Sequence, residues 1–231
     1  MKEATEAAKA KDSKPAVRDP EGVRRDILNV AMEEFSQNGL SGARIDEIAA
    51  RTKTSKRMIY YYFGDKEGLY QRVLEEAYGK VRGGEHDLEL DALDPVAALD
   101  KLCRFTFDHH RVNPDFIRMV MVENIHHGRH MQMSTTIRDL NQPAIEELAK
   151  VLRRGQTDGL FRDGLTPLEL HWQISALSFF NVSNSATFSL IFGGDLFMDA
   201  GQQTLSAHVA EMVLRYVLRP DHLGAIPSVH S

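Results

Sequence analysis

The chain has 231 residues, 42% of them hydrophobic, which is enough for a sizeable core in one large domain or two small ones. Its mean hydropathy is −0.33, no apolar run approaches the roughly 18 residues of a membrane span, and the single cysteine, Cys103, excludes a disulfide framework or a cysteine-rich zinc site. The net charge of −5 argues against a nucleic-acid binder until it is divided along the chain, because residues 1–83 hold 16 Lys and Arg against 14 Asp and Glu.

Residues 1–18 are expected to form a disordered tail, because they are poor in apolar residues and show no helical stripe. They also lack the apolar stretch of a signal peptide, so we expect a cytoplasmic protein without membrane contact. A first helix is predicted from Asp19-Pro20, where aspartate can cap the helix and proline suits its first position. Asn38-Gly39 is predicted to end it, since glycine readily adopts the left-handed conformation.

A helix-turn-helix pattern follows. The segment "RIDEIAART" predicts a second, short helix, "TKTS" predicts a turn, and Ser55 is suited to cap a third helix that extends to about Tyr62. Two short helices joined by such a turn are typical of DNA-binding domains in which the second helix enters the major groove. In that helix Ile59 and Phe63 are four residues apart, so both are expected to face the core.

The polar residues of the third helix and its flanks are the predicted DNA contacts. Five cations but only one acidic residue, Asp65, lie within residues 51–66, and such local positive charge favours phosphate binding. Arg57 is suited to pair with a guanine edge, and the hydroxyl groups of Tyr60 and Tyr61 are suited to phosphates. The complete predicted DNA-binding set is Arg44, Lys53, Thr54, Ser55, Lys56, Arg57, Tyr60, Tyr61 and Lys66.

A fourth, long helix is predicted to end at Gly83-Gly84, where the acidic stretch "GGEHDLELDALDP" indicates a linker. The DNA-binding domain, with this connecting helix, is therefore placed at 19–84. A second domain is placed at 85–219, and a C-terminal tail at 220–231.

The second domain is also predicted to be helical. Helical segments are expected at about 94–111, 114–127, 132–158, 167–191 and 201–218. Pro143 falls inside the third segment and is expected to kink or split it, since proline removes a backbone donor. No alternating pattern of strand length occurs, so the predicted fold class is all-α, with a three-helix DNA-binding domain followed by a helical domain.

The segment "ILNVAMEEFSQNGLSGARIDEIAARTKTSKRMIYYYFGDKEGLY" resembles the DNA-binding domain of TetR-type (tetracycline-repressor-like) transcriptional regulators, over about residues 23–75. The resemblance lies in "A.EEFSQNG", "I.EIA", "SK..IYYYF" and "KE.LY" in this order and spacing. It implies a ligand-binding, dimer-forming second domain and a repressor that a small organic molecule releases from a palindromic operator. The chain departs from the family at Lys53-Thr54, where a small residue often precedes the serine.

The last two helical segments are expected to form a homodimer interface. "PLELHWQISALSFFNVSNSATFSLIF" combines apolar residues with the small Ser and Ala that allow close helix packing, and "QTLSAHVAEMVLRYVL" has a wide apolar face. Two helices from each subunit would form an intersubunit four-helix bundle, and a dimer would place two recognition helices about 34 Å apart on a palindrome. The alternative that these helices complete the core of a monomer stays open.

A pocket for a small, partly apolar organic effector is expected between the middle helices, because they mix aromatic residues and methionines with interior polar groups. The predicted lining residues are Phe107, His110, Met119, Glu123, Asn124, His127, Trp172, Phe179, Phe180, Asn181 and Asn184. Glu123 would favour a cationic ligand, whereas His110 and His127 would favour an acid, so the ligand class stays open. No cofactor is expected besides this effector.

Two alternatives to the effector-controlled regulator stay open. The first is a DNA-binding regulator without a ligand. The second is a metal-responsive regulator, because a divalent metal could bind residues at i, i+3, i+4 and i+7 of one helix face, namely Glu123, His126, His127 and His130. Gly128 could end that helix before the last of them. An enzyme is not expected, since the chain has no Gly-rich phosphate loop, nucleophile elbow or paired cysteine ligands.

Overall fold

The structure, a computed structural model, describes residues 19–227, and the tail predicted at 1–18 lies outside the described residues. The α-helices of this range are α1 Pro20–Gly42, α2 Ile45–Arg51, α3 Lys56–Phe63, α4 Lys66–His86, α5 Pro95–Val112, α6 Pro114–Ile125, α7 Thr135–Thr157, α8 Pro167–Ser183, α9 Ser185–Phe192 and α10 Asp199–Val217. Short 3-10 helices lie at Leu90–Ala92, Met131–Met133, Asp195–Phe197 and Pro220–Ala225. Because the only strand-like pairing in residues 19–227 is an isolated bridge between Phe161 and Leu218, the predicted all-α fold is confirmed. No helix in this range is long and apolar enough to cross a membrane.

The first three helices form a small domain around a shared apolar core. α1 begins at Pro20 because the side chain of Asp19 accepts a hydrogen bond from the Glu21 backbone nitrogen at 3.1 Å and caps the helix. Gly39 has a φ of 62°, so the backbone leaves the helical conformation where the sequence predicts a helix end. Side chains of α1, α2, α3 and the start of α4 fill the core, among them Ile27, Phe35, Ile48, Ile59, Phe63, Leu69 and Tyr70.

α4 is the long helix that connects the two domains. Gly83 and Gly84 lie inside it, so the predicted helix end at this pair is wrong, and the domain boundary drawn at residue 84 falls within α4. Each glycine costs the helix about 1 kcal/mol relative to alanine, which contacts with the rest of the fold can outweigh. Gly84 permits one such contact, since a Cβ atom there would lie 2.7 Å from Cζ of Phe105 on α5.

The second domain packs α5, α7, α8 and α10 around one apolar core, which includes Leu99, Cys103, Val151, Ile174 and Leu214. α7 continues through Pro143 as one helix, so the predicted split is wrong. Ile137 before the proline is buried in the core of the first domain and Leu148 after it in that of the second, so both halves of the helix are held in place. The segment predicted at 167–191 is divided at Asn184 into α8 and α9.

The chain after α10 folds back onto the second domain. The 3-10 helix Pro220–Ala225 places Leu223 and Ile226 against the core. The tail predicted at 220–231 is therefore part of the domain as far as residue 227, where the described range ends. Cys103 is fully buried in the same core, and burial raises the pKa of its thiol, which disfavours the reactive thiolate.

Candidate DNA interface and ligand region

α3 presents a basic and aromatic face to solvent because two apolar residues hold its opposite face against the core. Ser55 caps the helix by accepting a hydrogen bond from the Met58 backbone nitrogen at 3.3 Å. Ile59 and Phe63 are buried, whereas Tyr61 is 78% exposed. The exposed side chains of α3 include four members of the predicted DNA-binding set: Lys56, Arg57, Tyr60 and Tyr61.

The turn between α2 and α3 is closed by hydrogen bonds to the last turn of α2. The Thr54 backbone nitrogen donates to the Ala49 carbonyl at 3.0 Å, and Thr52 Oγ1 donates to the Ile48 carbonyl at 2.7 Å. Lys53 lies in the left-handed region with a φ of 51°, at the place where the family often has a small residue. The tight turn is therefore kept, at a cost on the order of 1 kcal/mol for the lysine backbone.

The cations around α3 differ in whether they already form ion pairs or hydrogen bonds within the protein. Lys56 forms an ion pair with Asp46, and Arg44 lies 3.9 Å from the same carboxylate. Lys66 is half-buried, and its Nζ donates to a backbone carbonyl near the end of α1 at 3.2 Å. The side chain of Arg57 has no hydrogen bond or ion pair within residues 19–227, so its guanidinium is available to an external acceptor.

Glu123, predicted to line a ligand pocket, lies instead at the junction of the two domains. It is 1% exposed, and Oε1 accepts hydrogen bonds from Tyr70 Oη at 2.9 Å and from His130 Nδ1 at 2.8 Å. Oε2 accepts from the backbone nitrogens of His130 and Met131, at 3.2 and 3.3 Å. Burial, and then the nearby carboxylate, raises the pKa of Tyr70, so its hydroxyl remains a donor. Met119, also predicted to line the pocket, is buried in the core of the first domain.

The other residues of the predicted pocket do not converge on one site. Trp172 and Phe180 are 69% and 54% exposed on α8, so they lie on the outside of the domain. Asn181 is buried, but its amide forms two reciprocal hydrogen bonds with Gln202, at 2.8 and 3.0 Å, which occupy its polar atoms. Three further members lie at or beyond helix ends: Asn124, His127 and Asn184. The predicted lining of an effector pocket by these residues therefore stays a prediction.

The geometry for a metal site at the predicted position is missing because α6 ends at Ile125. His127 and Gly128 have φ values of 58° and 68°, which take the chain out of the helix, so the i to i+7 face does not form. Glu123 and His130 bond to each other directly instead. In the part of the chain that the structure describes, no group of three His, Cys, Asp or Glu side chains could hold a metal ion.

A cluster of basic side chains lies where α4, α5 and α8 meet. We call this group the basic cluster: Arg82, His109, His110 and His171. Burial, with neighbouring positive charge, lowers the pKa of His110 and of His171 to about 4, so both imidazoles are neutral at pH 7. Only His110 belongs to the predicted pocket. Three α-helices separate Arg82 from His171 along the chain, and the pair "HH" in "FTFDHH" was the only local signal.

A cavity of about 500 Å³ lies between α4, α5, α7 and the 3-10 helix Leu90–Ala92, and Arg82 of the basic cluster borders it. Its apolar wall consists of Leu90, Leu102, Leu140, Pro143, Ala144 and Leu148. This volume lies within the range of small-molecule sites, roughly 300–1,000 Å³. Two other predicted pocket residues are not part of this lining: Phe107 is buried on α5, and Phe179 packs against the contact between α4 and α6.

An apolar surface covers the outside of the last helices. Its exposed members on α8 to α10 and the short helix between α9 and α10 are Leu168, Trp172, Leu177, Phe180, Leu190, Ile191, Phe192, Leu196, Met198, Met212 and Tyr216. α9 has no buried residue although it is rich in Phe, Leu and Ile. Conversely, Val209, Val213 and Val217 of α10 face the core of the subunit. One face of α10 thus completes the monomer while the other is exposed.

Models of two known protein families match the chain in the order of its two domains. Residues 27–73 match "Bacterial regulatory proteins, tetR family", and residues 95–213 match "Tetracyclin repressor-like, C-terminal domain". The chain belongs to the TetR family. The resemblance seen in the sequence is therefore confirmed, and it extends to the second domain, where the sequence alone carried little of it.

Individual relatives agree with this assignment. The HTH-type transcriptional repressor NicS of Pseudomonas putida is 35% identical over 196 residues, which are 85% of this chain and 92% of that protein. The HTH-type transcriptional repressor SCO4008 of Streptomyces coelicolor is 28% identical over 204 residues, or 88% and 100% of the two chains. The crystal structure of the transcriptional regulator SCO4942 from Streptomyces coelicolor has a TM-score of 0.64 and 27% identity, and covers 86% of this chain and 99% of that one.

Regulators of the TetR family bind DNA and act as dimers, so this chain is a DNA-binding transcriptional regulator and not an enzyme. In this TetR-family protein α2 and α3 form the helix-turn-helix, and α4 leads into the helical second domain. The predicted contacts of α3 with DNA, the dimer surface and the effector stay predictions at the level of individual residues.

Proposed function

We propose that this TetR-family protein represses transcription by binding a palindromic operator as a dimer, and that a small organic effector releases it. The observation that carries this proposal is the exposed face of α3. Ile59 and Phe63 bury the opposite face of this helix in the core, and the side chain of Arg57, between exposed tyrosines, has no partner within residues 19–227. Arginine pairs bidentately with guanine in the major groove. The relatives NicS and SCO4008 are both named as transcriptional repressors, which supports repression.

The remaining cations and tyrosines are assigned to the DNA backbone. Tyr60 and Tyr61 are exposed beside Arg57 and offer hydroxyl groups to phosphates. Lys56 and Arg44 share the carboxylate of Asp46, an exposed contact that a phosphate can replace at little cost. Phosphate contacts of this kind fix the orientation of α3 in the groove, while Arg57 reads the sequence.

The dimer interface is proposed on the apolar surface of α8 to α10. Leu190 is 88% exposed, and Ile191 and Phe192 beside it are also mostly exposed. Monomeric soluble proteins rarely expose large contiguous apolar patches, so a second subunit is expected to cover this one. The pairing of α8 and α10 with their copies would form the four-helix bundle that the sequence suggested.

An effector can act on α3 through α4 and α6, because both helices contribute to the two domains. Tyr70 of α4 lies in the core of the first domain, whereas Val81 packs against α6 in the second. Glu123 joins α6 to α4 through Tyr70. An effector that prefers another arrangement of these helices by a few kcal/mol would shift the spacing of the two α3 helices and release the operator. The cavity of about 500 Å³ beside α4, α5 and α7 offers room for such an effector.

Selection of binding sites from random-sequence duplex DNA tests the operator. The full chain is expected to enrich a palindrome whose half-sites are about 34 Å apart, because the two α3 helices of a dimer enter successive major grooves. Enrichment of single half-sites, or of no sequence, would contradict the proposal.

The variant Leu190→Asp tests the dimer. A buried carboxylate at the interface should give a monomer in sedimentation experiments and weaken operator binding by about 10²–10⁴-fold, since the avidity of two linked sites is lost. Val112→Asp, at an exposed apolar position at the end of α5, is the matched control and should stay dimeric. A dimeric Leu190→Asp variant with unchanged affinity would place the interface elsewhere.

A further inference from the structure

Residues 9–18, which precede the described range, carry a concentrated positive charge. This segment, which we call the arm, reads "KAKDSKPAVR" and holds four cations against one acidic residue, Asp12. The four cations are Lys9, Lys11, Lys14 and Arg18. Residues 1–8 hold one lysine and two glutamates, so the positive charge is confined to the part of the segment next to α1. Local positive charge of this density favours contact with the phosphates of a nucleic acid.

The structure attaches this arm beside the helix-turn-helix. Asp19 and Gly22, at the start of α1, line one cleft together with residues 51–53, which end α2 and begin the turn before α3. One turn further along α1, the guanidinium carbon of Arg24 lies 6.0 Å from the centre of the Phe63 ring at the end of α3. The start of α1 is therefore a neighbour of the elements on both sides of the recognition helix, and the arm begins next to the surface predicted to contact DNA.

The charge around this attachment point also favours an anionic partner. Residues 19–26 hold three acidic residues against two arginines, so they add no positive charge of their own. Residues 51–57, in contrast, hold four cations and no acidic residue. The fold thus brings two basic segments, the arm and residues 51–57, to one corner of the first domain. Two such segments repel each other unless a polyanion lies between them.

The arm is long enough to reach the minor groove beside the major groove that α3 enters. A helix in the major groove leaves the neighbouring minor groove open to an extended chain, since that groove is about 6 Å wide. The two grooves are separated by about half of the 34 Å helical turn, or roughly 17 Å. Ten residues span at most roughly 33–36 Å, so the arm can cross this distance and still place several cations in the groove.

We propose that the arm of each subunit binds the minor groove of the operator next to the half-site that α3 reads. A narrow minor groove at A·T pairs has an enhanced negative potential, which attracts lysine and arginine side chains. This inference rests on the proposed operator binding and adds base pairs that α3 does not reach. The operator is then longer than two α3 half-sites, with A·T-rich pairs beside each of them.

Operators with exchanged flanks test the groove. The half-sites found by site selection are kept, and the pairs on either side of them are made A·T, G·C or inosine·cytosine. Inosine lacks the guanine N2 amino group, so I·C resembles A·T in the minor groove but G·C in the major groove. By fluorescence anisotropy the full chain is expected to bind the A·T and I·C operators within about twofold of each other, and the G·C operator about tenfold more weakly. Equal binding of all three, or an I·C operator that behaves like G·C, overturns the proposal.

Neutralising the arm tests which residues make the contact. Lys9, Lys11 and Lys14 are changed together to Gln, while Arg18 is kept because it adjoins the cap of α1. This variant is expected to bind the A·T operator about tenfold or more weakly, with a log–log salt slope that is shallower by about 2–5, since three cations are removed from each subunit. It should also bind the three flanks alike. An arm variant with the affinity and flank preference of the original chain overturns the proposal.

A matched control removes the same charge elsewhere. Its three substitutions to Gln fall on exposed cations of the second domain, Lys101, Arg111 and Arg153. The control should keep the affinity for the A·T operator within about threefold and the preference over G·C flanks, because these positions lie far along the chain from the arm and outside the predicted DNA contacts. A control that loses affinity and flank preference as the arm variant does would show that net charge alone acts, which contradicts the arm.

Site selection separates this inference from the proposed function. A palindrome enriched without any preference beside its half-sites supports operator binding and contradicts the arm. If no palindrome is enriched, but binding to random duplexes still depends on the three arm lysines and on A·T content, the arm is supported and the proposed operator is contradicted.

Discussion

The DNA-binding face of α3 and the basic cluster of the second domain use cationic side chains in opposite ways. α3 carries its cations at the surface, where exposed carboxylates such as Asp46 neutralise some of them and water solvates the rest. The basic cluster buries Arg82 with three histidines and a single paired carboxylate, Glu85. The difference shows that an exposed charge costs little and can meet many partners, whereas a buried charge needs a fixed partner and keeps the histidines near it neutral.

Salt should separate the two regions most strongly. Operator affinity is expected to fall about 10³–10⁵-fold between roughly 50 and 200 mM salt if the dimer contacts about 6–10 phosphates, because their counterions are released on binding. The free energy of unfolding, to which the buried ion pair of Arg82 and Glu85 contributes, should change far less over the same range, because buried pairs are screened little. Operator titrations by anisotropy and denaturant unfolding at each salt concentration measure the two dependences. An equally steep salt dependence of the unfolding free energy would remove the contrast.

Acid should weaken the fold through the buried histidines. The pKa of His110 is about 4 in the folded protein and 6.5 for an ordinary histidine, so between these values the unfolded chain binds a proton that the folded chain refuses. The contribution of His110 to the free energy of unfolding is therefore fully present above about pH 6.5. It is lost as the pH is lowered towards 4, by up to about 1.4 kcal/mol per pH unit. His171 changes in the same direction.

Denaturant unfolding of the original chain and of His110→Gln across this pH range measures the effect. The free energy of unfolding should fall more steeply in the original chain. Burial raises the pKa of Glu85, which acts in the opposite direction, so the difference between the two proteins is the informative quantity. Parallel curves would show that His110 is not held neutral.

The junction of the domains should be sensitive to the charge of one carboxylate. Glu123→Gln keeps the shape of the side chain but removes the charge that Tyr70 and His130 share, and should lower the free energy of unfolding by about 1.5–3 kcal/mol. Glu76→Gln, an exposed glutamate of α4, should change it by less than about 0.5 kcal/mol. Equal effects in denaturant unfolding would mean that the junction does not depend on this network.

Base reading by α3 should give the smallest and most selective effect. Arg57→Ala is expected to cost about 1–3 kcal/mol of operator binding and to relax the preference at one base of each half-site. Lys66→Ala should weaken all sequences alike and reduce the salt slope by about one. Site selection repeated with both variants measures this, and a uniform loss in both would show that Arg57 contacts only the backbone.

The first domain could be predicted closely because its signals are local. Asp19, Ser55 and the anchors Ile59 and Phe63 act within one or two turns of their own helix, and their positions match the prediction. The wrong predictions of helix ends also came from local signals. Gly83-Gly84 and Pro143 carry the usual signs of helix ends, but packing against Phe105 and burial of Ile137 and Leu148 outweigh them.

The sequence by itself determined the all-α fold, the family, and which face of α3 meets solvent, because periodicity, capping and turn chemistry act between near neighbours. Only the tertiary structure decided that Glu123 joins the domains, that Trp172 and Phe180 lie outside, and that the charge of Arg82 acts on three histidines. Those outcomes depend on which helices pack together. That packing decides whether a polar group is buried, and therefore whether it loses its contact with water and which partner it finds instead.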